Sequence, residues 1–426
     1  MAADSPSIVC VQTDPFKKLI RWGLCAWGLC QPVSIAGANI ATGVILAGLL
    51  GHWAGSRSFP SLRSPLEKPL WIYLAVAVLV SLLAVDPRES FRHINSEAHK
   101  VALFYLFLAA FAIDAAPAAL LWWAIGSVVA AIIGLLQVIF WHFFWHAFGP
   151  FKQDIGPYQQ HQWCDVPHFW EWLWFTNRAH GTVNGVTYGE IMGLALVGGV
   201  CFAVVLRRQG VKVGRGPIIF CVLAGLAWFL SVTRGAWAGA IVSLGLVRAL
   251  LAPRRAILEV LGASLIALPL MLAAGYLRNP EAGALDLTSF SCRFDFWEAA
   301  LRMFRDHPFF GVGIHNYGSM FGQYHSLPLP GGISWGDPHN LYMAQLAERG
   351  SVGLLALLFL LGTMIRQAWL RYRGSGSFLS LWCLAWLVGF LVMNLTESAF
   401  QVAMLWMPTM ILYAWMEKAP ETLPPA

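Results

Sequence analysis

Charged residues are scarce in this chain of 426 residues, and that scarcity excludes a soluble globular protein. Only 12% of the residues are charged, 58% are hydrophobic, and the mean hydropathy is +0.61. Soluble domains carry roughly 25% charged residues. The apolar residues also form long runs, such as 101–113, 118–144 and 260–274, and a membrane span needs about 20 mostly apolar residues. The sequence therefore predicts an all-α, polytopic membrane protein.

A cleavable signal peptide is a second feature that the sequence lacks. Residues 1–16 are polar, and the first apolar stretch leads into another apolar stretch without a small-residue cleavage site, so the first span is expected to stay in the membrane. The net charge of +6 does not indicate nucleic-acid binding, because the basic residues follow the membrane topology.

About twelve spans are predicted from the span length and from the charged or Gly/Pro-rich breaks between apolar runs. They cover residues 19–34, 36–53, 69–85, 101–115, 118–143, 189–206, 217–232, 236–251, 256–275, 351–366, 378–395 and 400–416. Basic residues such as Arg207, Arg254 and Arg366 follow even-numbered spans. Both termini are therefore predicted to be cytoplasmic, and the chain is expected to form a single integral membrane domain over residues 1–426.

Two outward segments, 145–188 and 276–350, are much longer than the other connections. Connections of more than about 15 residues are uncommon unless they are functional or disordered. Both segments are rich in aromatic residues, glycine and proline rather than in charge, so they are predicted to fold as one cap over the outer membrane face. Each contains one cysteine, Cys164 and Cys292, and a disulfide between them is left open.

The second outward segment contains the run Asp337-Pro338-His339-Asn340. Asp337 suits a helix N-cap, Pro338 suits the first helical position, and Arg349-Gly350 suits a helix C-terminus. A three-turn helix is therefore predicted, with His339 in its first turn. The positive end of the helix dipole would disfavour the imidazolium and leave a neutral ring able to accept a proton near pH 7. The alternative is a histidine that only bonds a backbone carbonyl.

His339-Asn340, nine residues, Gly350, two residues and Gly353 resemble the signature of the bacterial O-antigen ligases (the WaaL family). The other His-Asn pair, at 315–316, has Ser326 where the pattern needs glycine. The resemblance implies a glycosyltransferase of the bacterial inner membrane that works at its periplasmic face. It would transfer O-antigen polysaccharide from undecaprenyl pyrophosphate to the lipid A–core of lipopolysaccharide. It further implies catalysis without metal or other cofactor, inversion at the transferred sugar, and His339 as the general base.

Three arginines, Arg178, Arg234 and Arg293, lie on the predicted outer face, where the positive-inside rule does not require cations. A guanidinium group bonds two phosphate oxygens at once and stays protonated, so the three are predicted to bind the pyrophosphate. Snorkelling at the interface is the alternative for each of them. Glu397, at the outer end of the eleventh span, is expected to orient a substrate hydroxyl, to pair with an arginine, or to face water.

Possible metal ligands cluster at His161, Cys164, Asp165 and His168. A zinc site usually has two well-separated ligand pairs, and this run is followed by an aromatic stretch typical of a membrane interface. No metal site is therefore predicted.

Other functions also remain open. A Wzy-type O-antigen polymerase and a protein O-oligosaccharyltransferase use the same lipid-pyrophosphate donors. A transporter of lipid-linked sugars is less favoured. Transporters tend to contain inverted repeats and polar residues near the bilayer midplane, whereas this sequence shows no convincing repeat and its distinctive polar residues cluster at the predicted outer edge. Membrane lipids are expected partners in every case.

Overall fold

The computed structural model describes residues 14–144, 179–252, 265, 269, 288–325 and 336–419. Within these residues the chain forms thirteen α-helices, one short 3-10 turn and no strand. The helices are α1 (Pro15–Cys30), α2 (Ile35–Ser56), α3 (Glu67–Leu82), α4 (Pro87–Ile113), α5 (Pro117–Phe144), α6 (Gly185–Arg208), α7 (Arg215–Leu230), α8 (Arg234–Leu251), α9 (Thr288–Asp306), α10 (Tyr317–Tyr324), α11 (Leu341–Ser375), α12 (Phe378–Met393) and α13 (Ala403–Lys418). The 3-10 turn is Ala399–Gln401.

Six of these helices, namely α2, α4, α5, α6, α8 and α11, are long and apolar enough to cross a membrane, and α7 and α12 are shorter apolar helices. The prediction of an all-α, polytopic membrane protein is confirmed. Each predicted span except the ninth coincides with a described helix, although the boundaries shift. The ninth, 256–275, lies almost entirely outside the described residues.

The helices run between two ends of one bundle. At one end, which we call the basic end, Arg208 donates to the hydroxyl of Tyr372 at 2.7 Å and Arg371 donates to the carbonyl of Glu417 at 2.9 Å. The opposite end, called the outer end, contains the turns after α3, α7 and α12 and the start of α11. The described basic loops and His339 therefore lie at opposite ends of the bundle, as the sequence predicted.

Helix α4 begins much earlier than the predicted span, and its polar first half is helical although most of it is exposed, because a few of its polar residues, among them Glu97 and Lys100, are buried against other helices. Glu97 accepts from Lys100 at 2.9 Å and from Arg349 at 2.7 Å, and Arg349 also donates to the hydroxyl of Tyr73 at 3.0 Å. The three charged side chains are at most 4% exposed. Buried charges need partners, so this ion cluster ties the start of α11 to α3 and α4.

A small apolar layer covers part of the outer end. Helices α9 and α10 pack against the start of α11 around Phe296, Met303, Tyr317 and Phe321. The N–H of Val312 donates to a carbonyl of α11 at 2.9 Å. This layer belongs to segment 276–350, of which residues 288–325 and 336–350 are described. Segment 145–178, which contains Cys164, lies outside the described residues, so the single cap stays a prediction and the Cys164–Cys292 disulfide stays open.

Candidate active site

Helix α11 begins at Leu341, later than the predicted start at Pro338. Asn340 is its N-cap, and the side-chain oxygen of Asn340 accepts the N–H groups of the second and third helical residues at 3.0 and 3.1 Å. Asparagine is among the best N-cap residues. The prediction that His339 lies in the first turn is wrong, because Asn340 rather than Asp337 caps the helix and His339 precedes the cap.

Asp337 instead shapes the turn that contains His339. One carboxylate oxygen of Asp337 accepts the N–H of His339 at 2.6 Å and the hydroxyl of Ser398 at 2.8 Å. His339 has a φ of 50°, in the left-handed region that non-glycine residues rarely adopt. Such backbone strain costs of order 1–3 kcal/mol and is concentrated at functional sites. The chain therefore maintains a strained conformation at the predicted base.

The surroundings of His339 favour its neutral form. Burial lowers the pKa of His339 below its ordinary value; Asp337 opposes this shift, and the positive charge of Arg293 adds to it. The ring of Phe296 lies 6.3 Å away, centroid to centroid. The neutral imidazole expected from the sequence is thus favoured by burial rather than by the helix dipole.

The two glycines of the motif are required by close packing. Gly350 has a φ of 63° and a ψ of −164°, which interrupts the helical conformation of α11, as the predicted helix end at Arg349-Gly350 requires. A Cβ on Gly350 would lie 2.3 Å from the carbonyl carbon of Phe309. A Cβ on Gly353 would lie 2.1 Å from the Cβ of Arg349. Both positions therefore exclude larger residues.

Gly350→Ala should destabilise the protein by about 2 kcal/mol or more. The alanine would have to adopt a positive φ, which is strained for a residue with a Cβ, and its Cβ would clash with the backbone of Phe309. The measurement is thermal unfolding of the purified protein in detergent. Gly362 lies in the same helix, and a Cβ added there would meet nothing within 4 Å. Gly362→Ala is therefore the matched control and should not lower the melting temperature. Equal melting temperatures for the two variants would contradict this role of Gly350.

Arg293 and Glu397 form an ion pair beside the motif. Arg293, on α9, donates to Glu397 at 3.0 Å, and the two side chains are 21% and 12% exposed. Among the three expectations for Glu397, pairing with an arginine is confirmed. The carbonyls of Asn394 and Glu397 accept the N–H of Leu341 at 3.0 and 3.1 Å. The ion pair is thus joined directly to the helix that follows His339.

Arg234 is the exposed first residue of α8. It follows a tight turn in which Val232 has a φ of 52°, so the predicted tight turn between two helices is confirmed, and its outward orientation stays a prediction. A Cβ on Gly235 would lie 2.6 Å from the hydroxyl oxygen of Thr396 and 3.2 Å from Cγ of Glu397. The first turn of α8 therefore packs against the segment that carries Glu397.

Arg178 lies outside the described residues, but the chain that follows it is described. The N–H of Ala179 donates to the carbonyl of Leu230 at 3.0 Å. The buried amide of Gln137 then accepts the N–H groups of His180 and Gly181 at 3.1 and 2.9 Å. The residue next to Arg178 is thus fixed at the end of α7, close to the turn that precedes Arg234.

Glu190 is a buried residue that the sequence motifs did not single out. It lies near the start of α6 and is 1% exposed, and Gly189, the residue before it, packs against Ser231 in the turn before α8. The available signal was that Glu190 is the one acidic residue within 185–208. A lone ionisable residue in an apolar span is a functional candidate by default.

Residues 219–358 match the family model described as O-antigen ligase. The match contains the complete motif from His339 to Gly353, together with Arg234 and Arg293. Residues 219–358 belong to the O-antigen ligase family. Arg178, Glu190 and Glu397 lie outside the O-antigen ligase match, so their part in the site is argued from position and contacts.

Two relatives share part of the chain. An O-antigen ligase of Pseudomonas aeruginosa is 31% identical over 166 residues, which cover 36% of this chain and 38% of the relative. An uncharacterized protein of Haemophilus influenzae is 28% identical over 162 residues, which cover 34% of this chain and 41% of the relative. Each alignment therefore spans less than half of the relative's length.

Proposed function

We propose that this chain transfers O-antigen polysaccharide from undecaprenyl pyrophosphate to a sugar hydroxyl of the lipid A–core. The reaction takes place at the periplasmic face of the inner membrane, and both termini are cytoplasmic. The observation that carries the proposal is the convergence of the motif histidine and two arginine-bearing helices at the outer end. There Arg293 bonds Glu397 at 3.0 Å, and the first turn of α8 packs against the same segment.

In this proposal the neutral imidazole of His339 accepts the proton of the acceptor hydroxyl. The hydroxyl oxygen attacks the anomeric carbon of the donor, and the bond between that carbon and the pyrophosphate oxygen breaks. A single displacement inverts the anomeric configuration. General-base catalysis of this kind contributes roughly 10²–10⁴-fold to the rate.

The pyrophosphate is bound by Arg293, Arg234 and Arg178 in this proposal. Arg234 lies at the N-terminus of α8, whose N-cap residue Thr233 makes no side-chain capping bond. Helix N-termini favour anions, so the backbone N–H groups at the start of α8 and the guanidinium group of Arg234 would both attract the pyrophosphate. Fixed positive groups stabilise the charge that develops on the leaving group, and the reaction needs no metal or other cofactor.

Arg293→Ala should lower kcat/KM by about 10²-fold or more, the cost typical of removing one preorganised group that stabilises developing negative charge. Arg293→Lys should recover only part of the loss, because lysine cannot make the two parallel bonds of arginine. The control is Arg302→Ala, since Arg302 is exposed on the same helix and pairs with Glu298 at 2.6 Å. Similar losses for Arg293→Ala and Arg302→Ala would contradict the assignment.

The rate should fall at acidic pH, as the imidazole of His339 becomes protonated. Because burial and Arg293 lower the pKa of His339, this acid limb should lie below the ordinary pKa of histidine, about 6.5. Arg293→Gln removes a positive charge beside the ring, so the remaining activity should show its acid limb at higher pH. The measurement is kcat/KM against pH; an acid limb that stays in place or moves lower would contradict the prediction.

Expression of the chain in a ligase-deficient Gram-negative cell tests the proposal against its rivals. Polymer-bearing lipopolysaccharide is the expected product. Longer polymer on undecaprenyl pyrophosphate alone would indicate a polymerase, and glycosylated protein would indicate an O-oligosaccharyltransferase. Movement of the donor across vesicles without sugar transfer would indicate a transporter.

A further inference from the structure

The end of α6 and the start of α7 enclose a groove at the basic end of the bundle. The groove has a volume of about 380 Å³, and its lining side chains are almost all apolar. Ile218 and Val222, on its α7 wall, are 52% and 54% exposed. Both helices are apolar along their length, and an exposed apolar surface on such a helix faces lipid. The groove therefore opens towards the hydrocarbon of the bilayer.

Arg207 places a positive charge at the end of this apolar groove. The α6 wall consists of Val200, Ala203, Val204 and Arg207. Their spacing of i, i+3, i+4 and i+7 places them on one face of the helix. Arg207 is the penultimate residue of α6, so the apolar wall ends in a guanidinium group. Arg208 serves another purpose, because it donates to the hydroxyl of Tyr372 on α11 at 2.7 Å.

The loop beside the groove adds positive charge that no nearby acid in the sequence compensates. Lys212 lies in this loop, Arg215 begins α7, and both are exposed. Positions 191–258 contain no acidic residue. Among the described residues, neither of these two cations nor Arg207 forms an ion pair. The positive-inside rule accounts for cations in such a loop, but it does not account for a groove that ends at one of them.

We propose that the groove between α6 and α7 binds one anionic phospholipid of the bilayer. Basic pockets between membrane helices bind the head groups of anionic lipids. The guanidinium group of Arg207 bonds the phosphate, and one acyl chain lies along the wall from Val204 to Val200. This wall is about 10 Å long at 1.5 Å per residue. A zwitterionic lipid brings its own positive charge next to Lys212 and Arg215, so it binds more weakly.

This site lies at the end of the bundle opposite to His339, so it does not depend on the proposed function. A ligand that binds only the folded protein stabilises it, and this lipid contacts both helices of the α6–α7 hairpin. The protein should therefore melt at a higher temperature with phosphatidylglycerol than with phosphatidylcholine at the same concentration. Equal melting temperatures in the two lipids would contradict the proposal.

The decisive test is native mass spectrometry of the purified full chain in detergent, titrated with phosphatidylglycerol. Arg207→Gln should weaken binding about fivefold, because one basic residue near a membrane surface contributes about a factor of this size. The matched control is Arg373→Gln. Arg373 is exposed at the same basic end, but its guanidinium group lies 5.7 Å from the ring centroid of Trp369 on its own helix, and it does not line the groove. This control should bind the lipid as tightly as the wild-type protein.

A second variant tests the groove while it leaves every cation in place. Ala203→Trp puts a large side chain into the α6 wall and should also weaken the binding of phosphatidylglycerol. Unchanged binding by Ala203→Trp would show that the lipid does not lie in the groove. Equal losses in Arg207→Gln and Arg373→Gln would show that only the total charge of the basic end matters. Displacement of the lipid by uncharged undecaprenol would assign the groove to a polyprenyl chain. Each of these three results would overturn the proposal and leave the proposed function standing.

Discussion

His339→Ala is expected to abolish polymer-bearing lipopolysaccharide in a ligase-deficient Gram-negative cell that expresses the variant. The reason is that removal of a general base costs roughly 10²–10⁴-fold in rate. The side chain of His339 is only partly buried, and its loss leaves the bond between its backbone N–H and Asp337 in place. The protein should therefore keep its abundance. The measurement is gel analysis of lipopolysaccharide alongside quantification of the membrane protein.

The chain contains its own control for this variant. His315 is also followed by asparagine, and it also has a positive φ, 61°. It stacks on His93 with a centroid distance of 3.7 Å, away from the Arg293–Glu397 pair. His315→Ala should keep ligation. Normal lipopolysaccharide from His339→Ala, at normal protein abundance, would refute the role of His339 as base.

Arg349→Leu is expected to destabilise the protein by about 3–5 kcal/mol, the usual cost of removing one partner from a buried ion pair. Arg349 is 2% exposed and bonds both Glu97 and Tyr73. Its loss removes one of the two cations bonded to Glu97 and breaks the bonds that join the start of α11 to α3 and α4. Since Asn340 caps that same helix, the position of His339 should be lost together with stability.

Thermal unfolding in detergent measures this effect, and an exposed ion pair provides the comparison. Arg92 pairs with Glu89 at 3.0 Å, and the side chain of Arg92 is 77% exposed. Exposed pairs contribute about 0–1 kcal/mol, so Arg92→Leu should change the melting temperature little. A variant Arg349→Leu as stable as Arg92→Leu would show that the buried cluster does not hold α11.

The spans could be predicted from the sequence because they are apolar on all faces, which is a local property. The start of α4 could not. Glu97 and Lys100 look like loop residues in the sequence, but Arg349, which lies far along the chain, compensates Glu97 at 2.7 Å. Burial of a charge depends on its partner, and a partner more than two hundred residues away leaves no periodic signal.

At the site, the sequence indicated His339 and the break at Gly350, because the motif and the glycine are local features. It did not show which residue caps α11. Asp337 and Asn340 are equally good N-caps, and the choice depends on Ser398, whose hydroxyl is bonded to Asp337 at 2.8 Å. Glu190 could have been identified from the sequence, because it is the one acidic residue in the apolar stretch 185–208. Its place in the site depends on the packing of the start of α6 against the turn before α8, which is not local in the sequence.

The most direct test of the central claim is a reconstituted transfer assay. The purified chain is given undecaprenyl-pyrophosphate-linked O-antigen and lipid A–core acceptor, with a chelator present and without ATP, and the product is identified by mass. The account predicts polysaccharide joined to the core sugar with inverted anomeric configuration, and no product from His339→Ala. Unchanged donor, or polymer extended on undecaprenyl pyrophosphate while the acceptor stays unmodified, would contradict it.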